Sequence, residues 1–265
     1  MRHLLSLAAL TVFVSAFVPS TVAAQSDSAT APSFSVAAEM QLASRFIFRG
    51  LDLSRKAASL QPYVALRMPL DVTVTARAAS GLDRHHQVDE VDFTLEYAHA
   101  FDGWAVGAGY FHYILAGTAT EPSFNLADPL ATTTMGEVWV ALARRWDDGS
   151  ATLKYSRGNR AIRGNSVNLR VQQSLAAADR TWGALPYFSV DWLDQFEAPK
   201  ALADRFTMIE IGVPITRRLG PVTLLAAAHV SFIPSAWMRA LNAEGGADRN
   251  VAIPWFSIGV AYEPD

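Results

Sequence analysis

The charged side chains of this sequence recur at alternate positions along apolar segments and do not gather into one compact catalytic cluster. Between positions 39 and 49, Glu39, Arg45 and Arg49 occupy odd positions, whereas Met, Leu and two Phe residues occupy even ones. Successive residues of a β-strand point to opposite faces of the sheet, so the pattern predicts one apolar and one charged face. Charges arrayed in this way suit electrostatic selection of solutes along a wall.

The same alternation in later segments predicts which charged side chains face the inside of a closed sheet. We expect the following residues to line a pore: Glu39, Arg45, Arg49, Arg67, Arg77, Asp92, Glu96, Glu137, Lys154, Arg170, Asp191 and Glu210, with His229 on the same face. The four arginines that come first fall on the first three predicted strands, and the acidic residues that follow fall on the fourth and sixth. Such walls either set up a transverse field across an open pore or pair into salt bridges that plug a narrow barrel.

Other residues that could do chemistry give weak signals. His85 and His86 lie among acidic residues, but adjacent strand residues point in opposite directions, and a solvated polar loop is the preferred interpretation. His99 and His112 are isolated, and glycines near position 107 precede no helix that could hold a phosphate. The sequence therefore predicts no enzyme activity, no bound metal and no cofactor.

The composition limits the class of protein. The 265 residues are 51% hydrophobic and 18% charged, with a formal net charge of -3 and no cysteine. This chain is too apolar for disorder and has no basic excess for a nucleic-acid partner. Disulfides and thiolate metal sites are excluded because there is no cysteine.

The first residues resemble an export signal. Arg2 and His3 precede an apolar run that ends near Pro19, and Val22-Ala23-Ala24 offers a small-residue cleavage site. A basic start, an apolar stretch and such an exit are typical of a cleavable secretory signal peptide. We expect a signal peptide at 1–24, a flexible leader at 25–33 and one β-barrel domain at 34–265.

The remaining chain favours strands over membrane-spanning helices. The uncharged stretch 219–238 contains prolines that leave about a dozen residues, against the ~20 that a helical span needs. The stretch 103–120 mixes glycines with aromatic residues, a composition typical of strands. About twelve segments show period-two alternation, and their length of roughly ten residues suits tilted transmembrane strands. They are 35–48, 59–68, 71–80, 90–101, 103–115, 134–146, 150–157, 166–174, 184–193, 205–215, 221–232 and 254–262.

The connections between these segments alternate in length. Short links lie near 69, 102, 147 and 218, and long links lie around 49–58, 81–89, 116–133, 158–165, 194–204 and 233–253. The link around 176–183 is intermediate in length. Outer-membrane barrels sort their loops in this way, with short periplasmic turns and long external loops. Because hydrocarbon leaves backbone groups without water, only helices or closed barrels can span it. The sequence predicts an all-β, closed, antiparallel up-and-down transmembrane barrel in the outer membrane, in contact with its lipids.

The first strands also resemble a known family. The segment Ser44-Arg45-Phe46-Ile47-Phe48-Arg49-Gly50, followed by Ser54 and by Gln61-Pro62, is similar to the opening of the TorF family of porins in Gram-negative bacteria. This resemblance implies an outer-membrane channel. Such barrels usually end on an aromatic residue that the barrel assembly machinery recognises, and here Tyr262 is followed by Glu263-Pro264-Asp265.

Two functions from different classes follow from this fold. The first is a porin-like channel for the passive diffusion of small hydrophilic solutes or ions. The second is a structural barrel that conducts nothing and docks an envelope partner. The sequence leaves the oligomeric state open, together with the identity of the solute.

Overall fold

A computed structural model describes residues 34–82, 89–116, 132–160, 164–176, 181–195, 205–244 and 246–264. The predicted signal peptide (1–24) and leader (25–33) lie outside these residues, as do His85, His86 and most of the predicted long loop 116–133. Within the described ranges, no helix combines the length and apolar character needed to cross a membrane.

The described residues form strands and one helix. In chain order, the elements are β1 (Ser35–Ala43), β2 (Ile47–Phe48), β3 (Leu51–Asp52), β4 (Ser59–Met68), β5 (Val72–Gly81), β6 (Asp89–Phe101), β7 (Trp104–Ala116), β8 (Thr132–Trp146), β9 (Gly149–Arg160), β10 (Gly164–Gln173), β11 (Leu175–Ala176), β12 (Trp182–Ala184), β13 (Tyr187–Gln195), β14 (Phe206–Leu219), β15 (Val222–Phe232), α1 (Ala236–Glu244) and β16 (Ala252–Tyr262). The strands β2, β3, β11 and β12 are only 2 or 3 residues long. The other strands build the wall.

The wall is a closed antiparallel sheet. Each long strand pairs with the next one along the chain, from β4 with β5 to β15 with β16. The first and last strands also pair, with the register running from Ala38 opposite Tyr262 to Ala43 opposite Ser257. This pairing leaves the sheet without an open edge, and the predicted fold class of a twelve-stranded up-and-down barrel is confirmed.

The two faces of the wall differ in polarity as the alternation predicts. Leu95 on β6 and Ile258 on β16 point outward and are 55% and 53% exposed. Their neighbours Thr94 and Ser257 point inward and are buried. A closed barrel with a band of exposed apolar side chains is the form that a sheet takes when it spans a bilayer.

Turns and loops segregate to opposite ends of the barrel. The turns near Asp71, Asp102 and Gly220 are tight, and all three residues have positive φ angles. Both ends of the described chain lie at this end, which we call the turn end; the other is the loop end. One predicted long loop is shorter than expected, because β9 extends to Arg160 and β10 begins at Gly164.

The predicted first strand, 35–48, is too long. The strand β1 ends at Ala43, and Phe46, Ile47 and Phe48 are all buried among other apolar side chains. Three bulky apolar residues gain more by packing together than by continuing the alternation of a wall strand. Arg45 and Arg49 therefore belong to a loop and not to the wall.

The predicted strand 184–193 is interrupted. Pro186 separates β12 from β13, and proline has no N–H to donate to a sheet ladder. Both pieces still pair with β14, through Ala184 opposite Ile215 and Tyr187 opposite Gly212. The short β11–β12 pair extends the wall at the turn end.

Candidate functional site

The loop-end half of the lumen is filled by the connection between β1 and β4. We call residues 44–58 the inner loop. Its side chains Phe46, Ile47, Phe48, Leu51 and Leu53 are buried and join a cluster of apolar residues. The rest of that cluster comes from the wall and from the β15–β16 connection, and includes Phe111, Tyr113, Trp139, Met208, Ile233, Met238 and Ile253.

Helix α1 is joined to the tip of the inner loop by one side chain. The Asp52 N–H donates to Asn242 Oδ1 at 2.9 Å, and Asn242 Nδ2 donates to the Gly50 carbonyl oxygen at 2.7 Å. Gly50 has a φ of +89°, and a Cβ there would lie 2.4 Å from the Thr207 carbonyl oxygen. Glycine is therefore required where the tip approaches β14.

Ion pairs and hydrogen bonds connect the two ends of the inner loop. Asp52 accepts hydrogen bonds from Arg45 at 2.9 Å, from the Ser54 hydroxyl at 2.9 Å and from the Lys56 N–H at 3.2 Å. Asp248, in the β15–β16 connection, accepts from Lys56 Nζ at 2.9 Å and from Arg45 at 3.0 Å. The hydrogen bond from Lys56, followed by that from Arg45, lowers the pKa of Asp248 below its ordinary value. We call these contacts to Asp248 the Asp248 latch.

Two buried ion pairs connect cations of the predicted basic wall to acids of the predicted acidic wall. Arg49 donates to Glu137 on β8 at 2.9 Å, and Glu137 is only 2% exposed. Arg77 on β5 lies 3.2 Å from Asp92 and 3.4 Å from Glu90, both on β6. These pairs match the salt-bridge alternative and not an open transverse field, because opposite charges in contact cancel most of each other's field.

The remaining predicted pore-lining residues also lie on the inner face. Arg67 is paired with Glu263 near the turn end, and Glu39 accepts a hydrogen bond from Gln41. The others are Glu96 on β6, Lys154 on β9, Arg170 on β10, Asp191 on β13 and Glu210 on β14. Their facing follows from the alternation of buried and exposed positions. A role in permeation stays a prediction for all of them.

A buried network between β13 and β16 includes residues that sequence reasoning missed. Tyr187 donates to Glu210 and lies 2.8 Å from His229 Nδ1. Ser231 donates to the other oxygen of Glu210 at 2.7 Å, and Trp255 Nε1 donates to Ser231 at 3.0 Å. Tyr187 and Trp255 lie at alternate strand positions that face the lumen. This alternation is the signal that could have identified them.

This network does not have the geometry of a hydrolase. An activated serine needs a hydrogen bond to a base such as histidine. Here the Ser231 hydroxyl donates to the Glu210 carboxylate, and the His229 ring instead stacks on Trp255, with ring centroids 3.7 Å apart. The cluster is a buried hydrogen-bonded network on the lumen wall.

Two lumenal cations rest on aromatic rings. Lys154 Nζ lies 4.3 Å from the ring centroid of Phe111 and 4.6 Å from that of Trp139. The guanidinium carbon of Arg170 lies 3.7 Å from the ring centroid of Tyr187. Among the described residues, neither cation has a carboxylate within ion-pair distance, and Arg170 Nε donates to Gln172 Oε1 at 3.3 Å.

A cavity lies in the turn-end half of the lumen, between β6 and β9. Small side chains line most of it, and Arg145, Ser150 and Thr152 supply its polar atoms. The small residues are Ala98, Ala105, Gly107, Ala141 and Ala143, with Val106 and Trp139 completing the lining. In the described part of the chain, no three histidine or carboxylate side chains converge as a metal site would need.

Comparison with known proteins supports the fold and leaves the family open. No protein-family model matches the chain, and so the TorF resemblance is not confirmed. No curated protein sequence matches it either. Among solved structures, the KdgM porin aligns with a TM-score of 0.54 at 7% identity, covering 85% of this chain and 98% of the porin. A second structure, the KdgM porin in complex with disordered oligogalacturonate, aligns with a TM-score of 0.52 at 7% identity, covering 86% and 98%. The chain is a closed β-barrel of the outer-membrane type.

Proposed function

We propose that this chain is an outer-membrane channel for the passive diffusion of small hydrophilic solutes or ions, with a lumen narrowed at the loop end. The barrel would reach the outer membrane after cleavage of the signal peptide at 1–24. The barrel assembly machinery would recognise the last strand, β16, through Tyr262.

One observation carries this proposal: the inner face of a closed, membrane-spanning wall is lined by polar and charged side chains. Gln61, Thr75, Lys154, Asn168 and Gln172 all face inward on separate strands or positions of the wall. A barrel that needed only to fold could fill its interior with apolar side chains. Polar lining is what water and solutes require along a path.

The inner loop makes the channel narrow. It brings apolar side chains to the loop end, while the turn end keeps the small-residue cavity. At twelve strands, the wall is intermediate between barrels filled by side chains and wide porins. We therefore expect conductance below that of a sixteen-stranded porin and strong dependence on the inner loop.

Planar lipid bilayers test the proposal. Purified protein should give discrete current steps in potassium chloride, and liposomes that contain it should swell in a small neutral sugar. Current that never exceeds the lipid background, together with no swelling, overturns the channel. A second variant replaces residues 46–53 with a short Gly-Ser linker and so removes the part of the inner loop that fills the lumen. This variant should conduct more than the full chain.

The second candidate is a non-conducting scaffold that docks an envelope partner. The observation that favours it is the inner loop itself, because five buried apolar side chains and two buried ion pairs occupy the loop-end lumen. The scaffold predicts no current from either the full chain or the variant with the shortened inner loop. The two candidates therefore differ in whether the full chain and the shortened variant conduct.

A further inference from the structure

We propose that the outer face of the barrel binds, at the turn end, a phospholipid whose head group carries a primary ammonium, as that of phosphatidylethanolamine does. Arg144 contacts the lipid phosphate, and the carboxylates of the two adjacent turns contact the ammonium. The site needs the transmembrane barrel and does not need conduction, and so it goes beyond the proposed channel.

Arg144 is an exposed cation at the turn-end edge of the lipid-facing band. It lies on the outer face of β8, two residues after the exposed Leu142 and two residues before the exposed Trp146. Its register partner on β7 is Trp104, and the guanidinium carbon of Arg144 lies 5.2 Å from the centroid of the Trp104 ring. Tryptophan and arginine side chains occupy the level at which head groups meet hydrocarbon.

The guanidinium of Arg144 has hydrogen-bond donors left for a phosphate. Its Nη1 donates to the Asp102 carbonyl oxygen at 3.3 Å, which places it beside the β6–β7 turn. No carboxylate of a described residue lies within 4.0 Å of this guanidinium. Arginine presents several N–H donors in a planar fork that matches phosphate oxygens, and so the donors that remain can bind a lipid phosphate.

The two turns next to Arg144 carry three exposed carboxylates. Asp102 lies in the β6–β7 turn, and Asp147 and Asp148 lie in the β8–β9 turn. None of the three forms an ion pair with a described residue. A head-group ammonium at these turns would be attracted by the carboxylates, whereas an anionic head group would be repelled.

The order of side chains along this face matches the order of groups in such a lipid. Leu142 and its register partner Val106 are exposed on the apolar band and would contact acyl chains. Arg144 and Trp104 come next, at the level of the phosphate and ester groups, and the turn carboxylates lie furthest from the hydrocarbon. The face therefore complements a phosphate that is followed by a cationic amine, and not a phosphate that is followed by a neutral polyol.

A second arginine on the outer face at the turn end provides a matched control. Arg217 on β14 is exposed, and its guanidinium carbon lies 5.0 Å from the centroid of the Trp182 ring. The turn that follows it, 218–221, has the sequence Arg-Leu-Gly-Pro and carries no acid. Arg217 can therefore attract a phosphate but lacks the carboxylates that would hold an ammonium.

Native mass spectrometry of the purified barrel in mild detergent measures lipid binding. Three probes share their acyl chains and differ in their head groups: phosphatidylethanolamine, phosphatidylcholine and phosphatidylglycerol. We expect phosphatidylethanolamine to bind at least fivefold more tightly than either of the others. The methylated nitrogen of phosphatidylcholine donates no hydrogen bond, and phosphatidylglycerol brings a net negative charge to acidic turns.

Three variants assign the roles of the side chains. Arg144→Gln should weaken phosphatidylethanolamine binding at least fivefold, and Arg217→Gln should leave the preference among the three lipids unchanged. The triple variant Asp102→Asn/Asp147→Asn/Asp148→Asn keeps Arg144 and should lose the preference for phosphatidylethanolamine over phosphatidylglycerol. Asparagine tolerates the positive φ of Asp102, and a heat-dependent gel shift verifies that each variant is folded.

Each contrary result overturns the lipid site. Equal binding of the three lipids to the unaltered chain does so, and so does unchanged phosphatidylethanolamine binding in Arg144→Gln. Tighter binding of phosphatidylglycerol than of phosphatidylethanolamine would show that the turns do not select an ammonium. Current steps in planar bilayers are recorded separately, and so failure of the lipid site and failure of the proposed channel are distinguishable.

Discussion

The Arg49–Glu137 ion pair is the residue-level contact that fixes the tip of the inner loop against the wall. Both side chains are buried, and the tyrosine hydroxyl of Tyr113 donates to the second oxygen of Glu137 at 3.3 Å. Removing one partner of a buried pair leaves an uncompensated charge, which costs far more than the pair contributes. The position of the inner loop should therefore depend strongly on Arg49.

Arg49→Met should destabilise the docked inner loop by about 3–5 kcal/mol. The physical reason is that the buried Glu137 loses its ion-pair partner. Limited trypsin digestion should then cut after Arg55 or Lys56 at least tenfold faster than in the unaltered chain. The double variant Arg49→Met/Glu137→Met buries no lone charge and should be cut more slowly than Arg49→Met. Equal cutting rates in all three would contradict this account.

The Asp248 latch should depend on pH. Its contacts lower the folded pKa of Asp248, so its contribution is complete above the ordinary carboxyl pKa of 3.8 and is lost as the pH falls through the lower folded value. Conductance should therefore rise between pH 4 and pH 2. Asp248→Asn should raise conductance at neutral pH and lack this part of the acid response. If conductance depends on pH identically in Asp248→Asn and in the unaltered chain, the Asp248 latch does not control conductance.

At the residue scale, sequence reasoning predicted which charges face inward and missed what they contact. Period-two alternation sets the facing of Arg77, Asp92 and Glu137, because it is a property of one strand. The partner of Arg49 depends on a loop that folds back across the lumen, which no local pattern records. The aromatic supports of Lys154 and Arg170 lie on other strands and were missed for the same reason.

At the element scale, glycines on β7 allow Trp139 to lie against that strand. A Cβ at Gly109 would lie 2.7 Å from Cε2 of Trp139 and 2.7 Å from the Leu95 carbonyl oxygen. Neither neighbour is the end of a flexible chain, and so both the ring and the strand would have to move. The Trp139 ring lines the cavity and also contacts Lys154 Nζ.

Gly109→Ala should cost about 1–3 kcal/mol through overpacking. Guanidinium unfolding from lipid vesicles measures this loss of stability. Ala108→Val, on the exposed face of the same strand, is the matched control and should leave the free energy of unfolding unchanged. A Gly109→Ala variant as stable as the unaltered chain would show that Trp139 does not pack tightly against β7.

The outward face of β14 tests the assignment of the lipid-facing band. Ile209→Arg should cost on the order of 2–4 kcal/mol, because a charge would enter the hydrocarbon region. Ile209→Leu keeps the apolar surface and should be nearly neutral. Guanidinium unfolding in vesicles compares the two. If the arginine variant unfolds like the leucine variant, Ile209 does not face lipid.

Sequence reasoning was accurate for strands and inaccurate for loops. Most predicted strand limits agree with the structure within a few residues, because lipid on one side and a polar lumen on the other impose strict alternation. The exceptions have local causes: the apolar run at Phe46 enters the interior, and Pro186 interrupts a ladder. The inner loop and α1 follow tertiary packing, which alternation does not encode.

At the scale of the whole molecule, a transmembrane barrel requires that the sheet closes and that its outer face contacts lipid. The pairing of β1 with β16 provides closure, and the exposed band of leucine, valine and aromatic side chains provides the lipid contact. The sorting of connections by length supported this topology, since an up-and-down barrel returns each pair of strands to the same end. The contents of the lumen were open at that stage.

Gel mobility with and without heating is the most direct measurement of the closed barrel. Protein extracted in mild detergent should run as a compact, fast-moving species when it is not boiled and as a slower, unfolded species after boiling. We expect this shift for the unaltered chain. We expect it to disappear when β16 is deleted, because β1 and β15 then lack their shared partner. One mobility under both conditions, or protein that stays soluble without detergent, would contradict the claim that this chain is a closed transmembrane barrel.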